Sequence, residues 1–434
     1  MSRPSGEWQP TNVRTAVRPD RDVGSAAVTD HRIGDTIAGL SASTKFLVVV
    51  GILAVAVNLR SGVTSFGSVL GEFSRAWQLP GTVSGLLTAL PVATFATVGL
   101  LAPVLARWFD SEPVVAAAML ASGIGLLARA YANSVPVFIA CTVVALSGAA
   151  IGNVLLPPLV KHYFPNRIGL MTGLYNTALA IGMTGGASLT IPAEHHFWGG
   201  WRAGLGVWAD VAAFAAIPWL VLCWSSLGPT AGPRPRHRSH RVPIHRSATA
   251  RWLTLYFGCQ SLNAYVVMGW LPSILTDAGF DARHASLALA LANAMSIPMS
   301  MLIPLLAARR PTQYGLVCLT AGFYAAGYLG LMWSPKPGLW LCALLLGAAN
   351  GSLPLAITMI NLRSGRAELT AQLSAMTQCG GYLLAIAGPF LAGTLHQISG
   401  SWHLPLYAVL VAVAAQLVSG LRAAANRTVE SELP

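Results

Sequence analysis

Twelve apolar runs, each long enough to cross a lipid bilayer as a helix, recur along this chain. They lie near 45–70, 81–106, 113–132, 135–160, 167–192, 203–226, 251–275, 284–308, 313–333, 338–361, 367–394 and 403–424. About 20 apolar residues span a hydrocarbon core of ~30 Å. Backbone groups in lipid must be paired within the segment, and these runs are too long for barrel strands. The expected class is therefore an all-α membrane protein with twelve transmembrane helices. Composition agrees: 54% of the 434 residues are hydrophobic and 10% charged, against about 25% charged in soluble domains.

The net charge of +12 raises the question of a nucleic-acid partner, and its distribution answers it. With twelve crossings and a cytoplasmic N-terminus, 21 of the 27 Lys and Arg fall in the tails and even-numbered connections. The opposite connections hold Arg75, Arg129, Arg202, Arg283 and Lys336, and Arg60 alone is left inside a helix. This asymmetry follows the positive-inside rule and places both termini in the cytoplasm. The run RPRHRSHRVPIHR at 234–246 reads as a solvated linker beside anionic lipid, with no nucleic acid as partner. Residues 1–44 hold no apolar core, so no cleavable signal is expected and the first helix serves for insertion. That segment is expected to be a disordered cytoplasmic tail, with a second tail at 425–434.

The longest connection, 227–250, is rich in Pro, Arg, His and Ser, as a flexible linker would be. It separates a bundle of six helices at 45–226 from another at 251–424. The halves echo one another at an offset of 199: GAAIG at 148–152 answers GAANG at 347–351, Arg167 answers Arg366, and Gly182 answers Gly381. A parallel repeat of six-helix halves, pseudo-symmetric about a site at the bilayer midplane, is a transporter architecture. Small residues four apart (Gly81 and Gly85, Gly148 and Gly152, Gly182 and Gly186, Gly347 and Gly351) suit closely approaching helices. Pro91, Pro157, Pro298, Pro354 and Pro389 are expected to kink theirs. The six cysteines fall inside helices without metal-binding spacing and read as packing residues.

Arg60 lies 15 residues after Lys45, about 22 Å along a helix and close to mid-membrane. An arginine there costs about 2.5–3.5 kcal/mol on insertion scales. Of the fifteen acidic residues only Asp210 lies well inside a helix; Glu72, Glu194, Asp277 and Glu368 sit at ends. The absent counter-charge points to an anionic substrate, with snorkelling or a structural pair as the alternative. A guanidinium is a planar fork suited to two-oxygen groups such as carboxylate or nitro. Asn58 on the same helix, Tyr175 and Asn176 on the fifth, Gln260, Asn263, Tyr265 and Trp270 on the seventh, Asn350 on the tenth, and Gln378 and Tyr382 on the eleventh supply further polar groups. Together they read as a polar cavity; singly, each is as well explained by a hydrogen bond between helices. Asp110 and Asp210 are weaker candidates for gating or coupling. His195–His196 lacks the i, i+4 spacing of a helical metal pair, and no hydrolase or phosphate-loop motif occurs. No catalytic residue, metal or cofactor is expected, and the chain does not read as an enzyme.

NLRSGVTSFGSVL (58–70), GNVLLPPLVKHYFPNRIGLMTGLYNTAL (152–179), QSLNAYVVMGWLPSIL (260–275) and LPLAITMINLRS (353–364) resemble the cyanate/2-nitroimidazole transporter branch of the major facilitator superfamily. The likeness runs through nearly all of 45–424. The superfamily's loop between the second and third helices usually reads Gly-x-x-x-Asp-Arg-x-Gly-Arg-Arg; here ARWFDSEPV (106–114) keeps Asp110 and loses most of the basic residues. The resemblance implies transport by alternating access, with Arg60 in the central site and a monomer in the inner membrane. The substrate expected is a small anion or nitro-bearing molecule: a cyanate-like anion, a small carboxylate or a nitro-heterocycle. A coupled proton stays open, since it can ride on the substrate. The competing reading is a non-transporting receptor or sensor on the same scaffold.

Overall fold

The computed structural model describes residues 41–78, 81–196, 200–226, 243–333 and 335–433. The expected tail up to residue 40, linker residues 227–242, the surroundings of Gly81 and Gly85, and the side chains of Glu72, Arg75, Glu194, His195, Arg283 and Lys336 lie outside that description. The described chain is helical throughout, and 46–434 form one compact unit. Its helices are α1 (Ala42–Ala76), α2 (Gly81–Val98), α3 (Ala102–Phe109), α4 (Ser111–Ala130), α5 (Val135–Tyr163), α6 (Ile168–His196) and α7 (Trp201–Ser226). They continue as α8 (Ala248–Asp277), α9 (Ala282–Ala308), α10 (Tyr314–Trp333), α11 (Pro335–Ala349), α12 (Ser352–Leu362), α13 (Ala367–Ser399) and α14 (His403–Ala423).

Fourteen helices make twelve crossings because two of the apolar runs are interrupted. The second passes through a 3-10 turn at Gly99–Leu101 between α2 and α3. The tenth breaks at Asn350–Gly351 between α11 and α12. Pro354 is therefore in the first turn of α12, where a missing N–H costs nothing. Pro91, Pro157, Pro298 and Pro389 do lie inside helices. Ten segments are long and apolar enough to cross a membrane on length and composition alone. Helix α8 is not among them, and it carries Gln260, Ser261, Asn263 and Tyr265.

Lipid gives helices no hydrophobic reason to associate, so close packing has to hold the bundle. A Cβ on Gly148 would strike the Ala118 carbonyl, and one on Gly182 would strike the Val57 backbone. Helices α5 and α4, and α6 and α1, therefore touch backbone to backbone.

An even number of crossings puts Ala42 and Ala423 on one face, here termed the terminal face; the other is the far face. The two faces are packed differently. One core joins both six-helix halves on the terminal side, running from Val48, Leu59 and Phe95 to Leu253, Ile303, Leu373 and Tyr382. Toward the far face the packing separates. Val266, Tyr324, Tyr328 and Trp402 belong to a core built from the second half alone, and Phe66, Phe73, Phe138 and Trp201 to one built from the first.

Hydrogen bonds follow the same division. On the terminal side the Lys161 ammonium donates to the Asn361 carbonyl at 2.7 Å and to that of Ser364. Ser374 Oγ donates to the Val154 carbonyl at 2.8 Å and Cys379 Sγ to that of Phe95 at 3.3 Å. The expected tail after α14 is docked on this face: Val429 is buried, and its N–H donates to the Arg363 carbonyl at 2.8 Å. Glu432 accepts from Ser247 Oγ, Thr249 N–H and Thr249 Oγ1. Partial burial pushes the Glu432 carboxyl up, but these donors outweigh it and hold the group below the usual carboxylate range.

Candidate functional site

Arg60 and Tyr382 occupy the middles of helices 35 and 33 residues long, which brings them together at mid-depth. Arg60 Nη2 donates to the Tyr382 hydroxyl at 3.4 Å, and Tyr265 lines the same space. These groups line a cavity with about 110 Å³ of water-accessible space. Asn176, Gln260 and Asn350 line it as well. Leu179, Met183, Met268, Leu353 and Pro354 supply apolar wall. Among the described residues Arg60 is the one formal charge in the lining, with no Asp, Glu or His beside it.

The break in the tenth crossing presents Asn350 to this cavity. Its Oδ1 accepts from the Tyr324 hydroxyl at 2.8 Å, fixing which way the amide faces. Tyr382 is held from the other side. Asn153 Nδ2 donates to its hydroxyl at 3.4 Å and to Gln378 Oε1 at 2.6 Å. Gln378 Nε2 in turn donates to Ser374 Oγ at 2.7 Å. The hydroxyl oxygen of Tyr382 thus accepts two N–H groups, which leaves its own proton free to be donated. Both bonds are long for N–H···O, whose usual range ends near 3.2 Å, so they are readily exchanged for a better acceptor.

The candidate residues divide accordingly. Arg60, Asn176, Gln260, Tyr265 and Asn350 line the cavity. Asn58, two residues from Arg60, instead donates to Ser122 Oγ at 3.2 Å inside the first half. Tyr175 is buried in the shared core. Asn263 donates to Gln416 Oε1 at 3.0 Å, tying α8 to α14. Trp270 Nε1 donates to the Pro389 carbonyl at 3.0 Å, and the ring packs on Trp402. Gln378 lies just below the cavity in the seam between the halves. Asp210 is exposed on α7. Asp110 is exposed at the end of α3 with φ of 61° and ψ of 167°, a strained conformation that is essentially confined to glycine.

Four polar lining residues are not among the sequence candidates: Ser261 on α8, and Asn293, Ser296 and Ser300 on α9. The last three share a pattern. Their spacing of 3 and 4 puts them on one helix face, a polar stripe visible in ANAMSIPMS. Arg129 also differs from expectation. It was counted with the loops, yet it sits in the last turn of α4 with 1% of its surface exposed and donates to Ser65 Oγ at 3.1 Å.

The Major Facilitator Superfamily profile matches residues 48–389. The chain is 32% identical over 394 residues to the uncharacterized transporter YycB of Bacillus subtilis (strain 168), covering 88% of this chain and 94% of that one. It is 32% identical over 392 residues to the 2-nitroimidazole transporter of Escherichia coli (strain K12), covering 90% and 98%. To the cyanate transport protein CynX of the same organism it is 27% identical over 357 residues, covering 81% and 90%. Its fold matches the solved proton:xylose symporter XylE with a TM-score of 0.69 at 12% identity, covering 91% and 99%. The chain belongs to the major facilitator superfamily, in the cyanate/2-nitroimidazole transporter branch; it is a multi-pass membrane transporter and not an enzyme.

Proposed function

We propose that this transporter carries a small planar anion or nitro-heterocycle, anchored on Arg60 and moved by rocking of the two six-helix halves about the central cavity. The observation that carries this reading is the lining itself: among the described residues, one guanidinium, no carboxylate, hydroxyl and amide donors, and apolar wall. A buried charge needs a partner, and an anion or nitro group in the cavity supplies one to both tines of the fork. Tyr382 adds its free O–H as a further donor. The names of two relatives, a 2-nitroimidazole transporter and a cyanate transport protein, fit such a ligand.

Size narrows the class. At about 110 Å³ the cavity approaches the ~150 Å³ of an engineered apolar cavity that binds benzene, so it suits a small ring. A five- or six-membered ring bearing a carboxylate or nitro group fills that space, whereas three-atom cyanate leaves much of it to water. The Tyr265 ring and the Met183 and Met268 side chains suit a flat ring.

Both termini belong in the cytoplasm of the inner-membrane topology, by the distribution of Lys and Arg. The shared core and the seam from Asn153–Gln378 to Lys161 then close the cytoplasmic side, and the conformation is outward-facing. Because Tyr382 bonds both Arg60 and Asn153, an anion that takes over these donors acts directly on the seam, and binding is thereby coupled to opening. Among the described residues the lining offers no Asp, Glu or His to carry a proton, and a proton that rides on the substrate fits that lining. A thermal-shift screen of small carboxylates, nitro-heterocycles and cyanate tests the reading. Ring-bearing anions or nitro compounds should stabilise the wild type and leave Arg60→Ala unmoved; stabilisation of both proteins alike would refute the anchor.

A further inference from the structure

A second opening, independent of the substrate site, lies on the outer flank of the seam. It is a crevice of about 650 Å³ between α2–α3 of the first half and α13 of the second. Ala96, Leu100 and Val104 form one wall; Met376, Cys379 and Leu383 form the other. At the terminal face the walls end at Arg107, His245 and Gln372, and no Asp or Glu lines the crevice among the described residues.

Its dimensions match one lipid leaflet. Ala96 to Arg107 and Gln372 to Leu383 are twelve-residue stretches, each rising about 16 Å. That is close to half of the ~30 Å hydrocarbon core. The inner end lies at mid-depth, beside the contact between the Phe95 and Tyr382 rings. The outer end lies where Trp108, exposed next to Arg107, places an indole at headgroup level, as membrane proteins commonly do. From midplane to headgroup, the crevice is apolar along an acyl-chain length and basic at its mouth.

We propose that this crevice is a binding site for an anionic phospholipid of the terminal-side leaflet. The headgroup phosphodiester is held by Arg107 and His245, with Gln372 as a further donor. One acyl chain runs inward between Leu100 and Val104 on one side and Met376 and Leu383 on the other. The basic mouth selects an anionic over a zwitterionic headgroup, and the apolar walls select a lipid over free phosphate. Each basic residue near an anionic headgroup adds about fivefold in binding. Because the walls belong to different halves and meet where Cys379 Sγ donates to the Phe95 carbonyl, a lipid wedged there binds only when this face is closed. It therefore favours that state by its differential affinity.

Native mass spectrometry of the detergent-purified full chain tests the site without any transport substrate. Phosphatidylglycerol, phosphatidylcholine and sn-glycerol 3-phosphate are titrated separately. One phosphatidylglycerol should be retained at concentrations where phosphatidylcholine is not, and glycerol 3-phosphate should not displace it. Arg107→Ala combined with His245→Ala should cut that retention at least about fivefold, and Arg107→Lys should keep most of it. Val104→Trp, which fills the crevice and leaves both charges, should cut it too. Equal retention of both lipids, displacement by glycerol 3-phosphate, or unchanged retention in both the double variant and Val104→Trp would overturn the assignment. Helical content and melting temperature in phosphatidylcholine micelles confirm that each variant is folded.

Discussion

Arg60 and Arg129 are two arginines in the same half-bundle, and they are buried in opposite ways. Arg60 borders a cavity that Tyr265 of α8 and Tyr382 of α13 also line, and it donates to the Tyr382 hydroxyl. Arg129 borders neither opening. It donates to Ser65, whose neighbour Phe66 belongs to the aromatic cluster with Phe73, Phe138 and Trp201, and its Nε has no hydrogen-bond partner among the described residues. By burial alone Arg129 would rank first. Of the two, Arg60 has open space beside it that a ligand could enter, and on the proposed function that space, more than the charge, separates them.

The largest effect should come from Arg60→Ala, which removes both tines of the fork. Ligand binding measured by calorimetry or thermal shift should weaken about 100-fold, as expected for two charge-assisted hydrogen bonds. Arg129→Met should leave binding within about threefold, since losing a buried guanidinium to a well-packed apolar chain is commonly tolerated. An equal loss in both variants would break the distinction. Arg60→Lys keeps the charge and loses the planar fork; about tenfold weaker binding is expected, and near-wild-type binding would show that charge alone suffices. Tyr382→Phe removes one neutral donor, worth about 0.5–1.5 kcal/mol, so binding should fall between about twofold and tenfold. The smallest effect is expected for Asn263→Leu. That change breaks the bond to Gln416 and should lower the melting temperature while leaving affinity unchanged.

The twelve crossings were legible because an apolar run of membrane length has few alternatives in any fold, and Arg60 was legible because a charge stands out in such a run. Which way a polar side chain faces was less so. Gln260 and Asn263 are spaced to share a helix face, yet Gln260 lines the cavity while Asn263 bonds Gln416 on α14. Residues three apart differ by about 60° around a helix, enough for a neighbouring helix to claim one and the cavity the other. Asn58 and Arg60 divide more widely, at about 200°. The stripe Asn293, Ser296 and Ser300 was written in the sequence, but serines in membrane helices commonly bond their own backbone, as Ser296 and Ser300 also do here. The seam through Asn153 and Gln378 depends on contacts more than 200 residues apart, which no local pattern reveals.

Transport into proteoliposomes tests the central claim most directly. Wild type and Arg60→Ala, reconstituted at equal density, are compared for counterflow of labelled 2-nitroimidazole and labelled benzoate. The wild type should exchange at least one of the two in a saturable manner and Arg60→Ala neither. Saturable exchange at wild-type rate by Arg60→Ala would contradict the account.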